Sequence, residues 1–195
     1  MLAEPIAATM MVIEALEALG VPYLIAGSMA SAVHGVVRAT LDADLVADLR
    51  IEHARPLSER LLGSFYVDAE MILDAVRHQS HFNVVHLETM FKVDIFLLKQ
   101  RPFDHSQFRR RREFVIAFDP ERSAFVASPE DTILAKLEWY AKGDEVSERQ
   151  WRDVLGVLKV QADRLDTGYL RQWAPELGVA QLLERALSEG CTGKF

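Results

Sequence analysis

The sequence predicts an α+β fold with a core over residues 1–120 and a helical region over residues 121–195. Three observations carry the prediction. A short apolar run, Tyr23-Leu24-Ile25-Ala26, ends in Gly27-Ser28 and gives way to a small-residue helical segment, a strand–turn–helix unit. Residues 81–98 alternate with a period of two, as strands do. From Ser128 onward apolar residues recur only at helical spacing.

The elements follow in order. Ile6, Met10, Ile13, Leu16 and Leu19 form a helical stripe over residues 5–19, stopped by Gly20 and Pro22. After the strand at 23–26, residues 29–35 read as a helix closed by Gly35, with Ser28 as its cap. Asp42 and Asp44 open an apolar strand running into Leu45-Val46-Ala47. Residues 52–62 contain Pro56, suited to the first position of a helix that Gly63 ends, and residues 70–78 form a second short helix. His81–Leu87 and Phe91–Leu98 read as antiparallel strands, and Glu113–Phe118 as one more. Ser128-Pro129-Glu130-Asp131 combines a capping residue, proline at the first turn and acidic residues, a full helix-start signature. Helices from about Ser147, at 166–174 and at 179–189 complete the chain, with Trp139, Trp151 and Trp173 as core anchors.

Composition narrows the function. With 29 acidic against 22 basic residues the net charge is −7, which excludes a general nucleic-acid or membrane-surface binder on charge alone. The single cysteine, Cys191, excludes an internal disulfide and a cysteine-rich zinc site. No apolar run approaches the ~20 residues that cross a bilayer, and the start lacks a basic signal-peptide region, so the expectation is a cytoplasmic protein without a membrane partner.

Asp42 and Asp44, two residues apart on one strand, point to the same face. Anions held that close repel unless a proton or a cation lies between them, and a divalent metal is the usual cation. Asp94 is a third carboxylate, set between Val93 and Ile95 in a strand where an unpaired charge is costly. If these strands are neighbours, three carboxylates share a metal site. Gly27-Ser28 offers backbone N–H groups at a helix start, suited either to a phosphate or to an ordinary capped turn. Lys136 stands at the edge of an apolar helix face, where it can aim into a cleft or reach to water. Residues 99–112 hold six basic side chains, including Arg109-Arg110-Arg111-Arg112, which act either as a solvated connection or as a phosphate-contacting patch.

Together these residues resemble nucleotidyltransferases of the DNA polymerase β superfamily, close to the AbiEii-like toxins and related minimal nucleotidyltransferases. The resemblance covers residues from about 20 to 160. It runs through Gly27-Ser28, His34-Gly35, Arg38, Thr40, Asp42, Asp44 and Leu45, with Asp94 as the third carboxylate. Lys136-Leu137 resembles the toxins' lysine-bearing helix, and Arg152-Asp153-Val154 a later motif, although arginine replaces its usual lysine and Gly156 a later acidic residue. The resemblance implies a nucleotidyltransferase fold, a mixed sheet flanked by helices. It further implies Mg2+ or Mn2+ at Asp42, Asp44 and Asp94, and a nucleoside triphosphate substrate contacted by Gly27, Ser28, Arg38, Thr40, Lys136 and Asp153. Arg38 either contacts nucleotide or pairs with a carboxylate.

The implied activity is transfer of a nucleoside monophosphate to an acceptor, with tRNA or a protein favoured over a small molecule, and a toxin role with a neutralising antitoxin protein. Such chemistry requires the three carboxylates to converge within roughly 4 to 6 Å, because two bridged metals sit about 4 Å apart. A catalytically silent relative that binds nucleotide or a partner protein is the rival reading. A nucleotide-sugar enzyme is a poorer one, because too little chain precedes Asp42 for its nucleotide-binding βαβ region.

Overall fold

The computed structural model describes residues 4–118 and 120–192. The elements are α1 (Glu4–Glu17), β1 (Tyr23–Ile25), α2 (Gly27–His34), β2 (Asp42–Ala47), α3 (Ile51–Leu61), β3 (Phe65–Tyr66), α4 (Ala69–His78), β4 (His81–His86) and β5 (Lys92–Leu97). They continue with α5 (Pro102–Arg110), β6 (Arg112–Phe118), β7 (Glu121–Val126), α6 (Pro129–Lys142), α7 (Glu148–Gln161), a 3-10 turn at Ala162–Arg164, α8 (Thr167–Trp173) and α9 (Ala180–Thr192). Among the described residues, no helix is long and apolar enough to cross a membrane.

The chain divides into two compact units, one of residues 1–26 and 39–126, the other of residues 27–38 and 127–195. This differs from a simple boundary at residue 120. Glu121–Val126 continues the sheet as β7, and the second unit includes α2 from the N-terminal half.

The first unit is built on a seven-stranded mixed sheet in the order β3-β4-β5-β2-β1-β7-β6. The pairings β2–β5 and β1–β7 are parallel, and the remainder are antiparallel. Alternation sorts β2 into two faces. Ala43, Leu45 and Ala47 are fully buried, whereas Asp42, Asp44 and Val46 are partly exposed. Val93, Ile95 and Leu97 of β5 share the buried face by register. Helix α1 packs on β2 and β5 through a stripe that includes Val12, Ile13 and Leu16, and α3 packs on α1 and α4. Completely buried Leu57 and Ile72 extend this core.

Three local expectations are corrected. Pro56 lies inside α3, five residues beyond its start, where the helix does without one interior N–H donor. The segment 99–112 is not an open connection: α5 begins with Pro102 at its first turn, and Arg101 pairs with Asp104 at 2.6 Å. The basic run is divided by packing as well. The Arg111 guanidinium lies 4.4 Å from the Phe108 ring centroid and 5.2 Å from that of Phe125, leaving no continuous row of outward arginines.

The second unit is helical. The Ser128 hydroxyl accepts from the Asp131 N–H and donates to the Asp131 carboxylate at 2.6 Å, and the Tyr169 hydroxyl donates to the other Asp131 oxygen at 2.6 Å. The buried first turn of α6 is thereby satisfied and tied to α8. Helices α2 and α7 approach closely: a Cβ added at Gly35 would lie 2.9 Å from the Val157 nitrogen and 3.0 Å from the Ser31 carbonyl oxygen. His34 closes α2 by donating from Nε2 to the Ala127 carbonyl at 2.6 Å. Burial holds its pKa below the ordinary imidazole value despite that bond.

Candidate active site

In the first unit the site begins with strand register. The parallel pairing of β2 with β5 sets Asp42 opposite Lys92 and Asp44 opposite Asp94. Alternation places all four on the face away from Ala43 and Leu45. Asp94 therefore shares a face with the Asp42/Asp44 pair and does not enter the apolar core. Its neighbour across β4 is Asn83. The Thr40 hydroxyl reaches the Asp42 carbonyl at 2.9 Å and the Asp42 carboxylate at 3.1 Å, fixing the strand entrance and that side chain together.

Lys92 is the unforeseen member of this face. Its ammonium lies 2.7 Å from Asp94 Oδ2. The hydrogen bond to Asp94 raises the lysine pKa above its ordinary value, against the opposing pull of burial, and the charges of Asp94, Asp42 and Asp44 raise it further. The two stand two positions apart in Lys92-Val93-Asp94, and the period of two would have put them on one face.

Among the described residues, no three His, Cys, Asp or Glu groups stand together as a ready metal cluster. In this arrangement Asp94 is engaged by Lys92. The donor chemistry nonetheless fits a hard divalent cation. The available atoms are carboxylate oxygens on one face of the sheet, with one ammonium held at Asp94.

In the second unit, four residues singled out from the sequence meet in one hydrogen-bonded cluster. Arg38 donates in a fork to Asp153, Nε to Oδ1 and Nη2 to Oδ2, both at 2.8 Å, and Nη2 also reaches the Ser28 hydroxyl at 2.7 Å. The Lys136 ammonium lies 2.8 Å from Asp153 Oδ2 and 3.2 Å from Gln150 Oε1. Burial alone would raise the Asp153 pKa, but hydrogen bonds and charge from Arg38 and Lys136 outweigh it and hold the carboxyl below its ordinary value.

Several expectations change in detail. Ser28 is not a helix cap, because α2 already includes Gly27, which takes φ +55° to turn the chain, and the Ser28 hydroxyl serves Arg38. Lys136 neither reaches water nor stands alone, being 6% exposed. Arg38 pairs with a carboxylate, one of its two anticipated roles. Gln150 escaped sequence reading, although its place one helical turn before Asp153 offered a signal.

No family model matches the sequence, and no curated protein matches it significantly. Solved structures do resemble it. One is an antigenic nucleotidyltransferase-like protein from Paracoccidioides brasiliensis, at 20% identity and TM-score 0.51, covering 88% of this chain and 90% of that one. A second is the antibiotic-resistance factor ANT(2'')-Ia, at 15% identity and TM-score 0.55, covering 91% and 94%. A third is the lincosamide antibiotic adenylyltransferase LnuA in a lincomycin-bound structure, at 15% identity and TM-score 0.50, covering 76% and 93%. The chain has the α+β nucleotidyltransferase fold.

Proposed function

We propose that the protein is a metal-dependent nucleotidyltransferase that moves a nucleoside monophosphate from a nucleoside triphosphate to an acceptor hydroxyl. The observation that carries this reading is the register of β2 and β5, which aligns Asp44 with Asp94 and keeps Asp42 on the same face. Likeness in fold to nucleotidyltransferase-like and adenylyltransferase structures supports it. Asp42, Asp44 and Asp94 hold Mg2+ or Mn2+, which supplies charge neutralisation at the attacked phosphorus and the leaving pyrophosphate. Asp94 also serves to accept the acceptor's proton. Thr40 orients Asp42. Gly27, Ser28, Arg38 and Lys136 contact the triphosphate, and Asp153 positions the two cations among them.

The acceptor is a tRNA or a protein in the toxin-like version of this proposal, with an antitoxin protein as partner. Two structures of similar fold are described by antibiotics, which makes a small molecule the alternative acceptor. The experiment is incubation with Mg2+ or Mn2+, each labelled triphosphate in turn and a cell extract, followed by separation of RNA, protein and small molecules. Label in one fraction, lost on Asp42→Asn while circular dichroism is unchanged, supports the proposal. Triphosphate binding without transfer to any fraction supports the silent, regulatory reading in its place.

A further inference from the structure

We propose that Lys92 is an internal counter-cation of the carboxylate face, and that a divalent ion binds by displacing its ammonium from Asp94. This rests on the reading of Asp42, Asp44 and Asp94 as a metal site.

The arrangement is a two-by-two block on neighbouring strands, three carboxylates and one ammonium, with Lys92 opposite Asp42 and Asp94 opposite Asp44. Neighbouring strands lie about 4.7 to 4.9 Å apart, so like charges in register on one face repel each other. Asp44 and Asp94 are such a pair. The ammonium, 2.7 Å from Asp94 Oδ2, offsets that repulsion without any metal. Metal coordination requires the same oxygen lone pairs, so ammonium and metal compete for Asp94.

The two partners differ in freedom. The Lys92 side chain is 42% exposed and the Asp94 side chain 12%, so the ammonium can withdraw on its flexible stem to solvent while the carboxylate stays in place. The fold thereby tolerates its clustered anions when no metal is bound, at the cost of weaker metal binding.

The test is a titration of the full chain with Mn2+ alone, with free Mn2+ followed by electron paramagnetic resonance. Lys92→Met is expected to bind Mn2+ about tenfold tighter than wild type, and Lys92→Arg within about threefold of it. Adding Asp94→Asn to Lys92→Met should abolish the gain. In EDTA, Lys92→Met should melt below wild type and recover more of its melting temperature when Mn2+ is restored. Equal or weaker Mn2+ affinity in Lys92→Met, with wild type still binding, overturns the displacement and leaves the metal site standing. Absence of Mn2+ binding in every form overturns both. A Lys92→Met chain that folds neither with nor without Mn2+ makes the ammonium a structural counter-ion alone and also overturns the proposal.

Discussion

Asp153→Asn should destabilise the protein by about 3 kcal/mol at neutral pH. The substitution keeps the shape of the side chain and removes the charge on which Arg38 and Lys136 converge. The Asp153 and Lys136 side chains are each 7% exposed, so the lysine is left as a poorly solvated cation hydrogen-bonded to Gln150. Removing one member of a buried ion pair costs about 3–5 kcal/mol, and the lower end applies because Arg38 is 26% exposed and keeps access to water. That is a large part of the ~5–15 kcal/mol by which a domain is typically stable.

Urea unfolding followed by tryptophan fluorescence measures the effect, with Trp151 two residues away in sequence. The pH dependence gives the argument a second edge. The folded-state pKa of Asp153 is depressed, so its contribution is present above the unfolded carboxyl pKa of about 3.9 and is lost as pH falls through the folded value. The gap between wild type and Asp153→Asn should therefore be full at pH 7 and should shrink in acid below about pH 4. In a double-mutant cycle, Lys136→Met with Asp153→Asn should cost less than the sum of the single changes. A gap under about 0.5 kcal/mol at pH 7, or one that persists unchanged in acid, would refute the reasoning.

Two further outcomes follow from packing in the second unit. Gly35→Ala should lower stability by about 1–3 kcal/mol in urea titrations, because the new methyl meets backbone atoms of α2 and α7 that no rotamer change can move aside. Tyr169→Phe should cost about 1–3 kcal/mol, measured the same way, since it leaves the fully buried Asp131 carboxylate without one of its donors. An unchanged midpoint in either variant would contradict the corresponding contact.

Much of the architecture was legible because local signals agreed with the final packing. Ser128-Pro129 marked the start of α6 through cap chemistry that needs only adjacent residues, and alternation in β4 and β5 exposed both strands. The elements that escaped lacked such signals. The polar helix α5 carries Asp104, His105, Arg109 and Arg110 in place of an apolar stripe, and Phe103 and Phe108 are its two buried apolar residues. Strand β7, with Glu121, Arg122 and Ser123 at its start, does not alternate recognisably until it pairs with β1 and β6. At the candidate site, Asp42, Asp44 and Asp94 stood out because charge in an apolar strand is conspicuous. The partners that satisfy charge were harder to see. Whether Asp153 would meet water, nucleotide or Arg38 depended on contacts 115 residues apart in sequence. Lys92 was hidden by its ordinariness, since a lysine on a strand usually serves solubility.

The parallel pairing of β2 with β5 also has a kinetic meaning. It joins Asp44 to a partner fifty positions later, and α3, β3, α4 and β4 must be laid down before the two can meet. Closing so long a segment is slow compared with forming a helix or a hairpin. The carboxylate face is thus absent from early, locally ordered chains and assembles only with the non-local pairing of the sheet. Under the proposed function, a divalent ion bound at this face would select chains that have completed that step and add its binding energy to them alone.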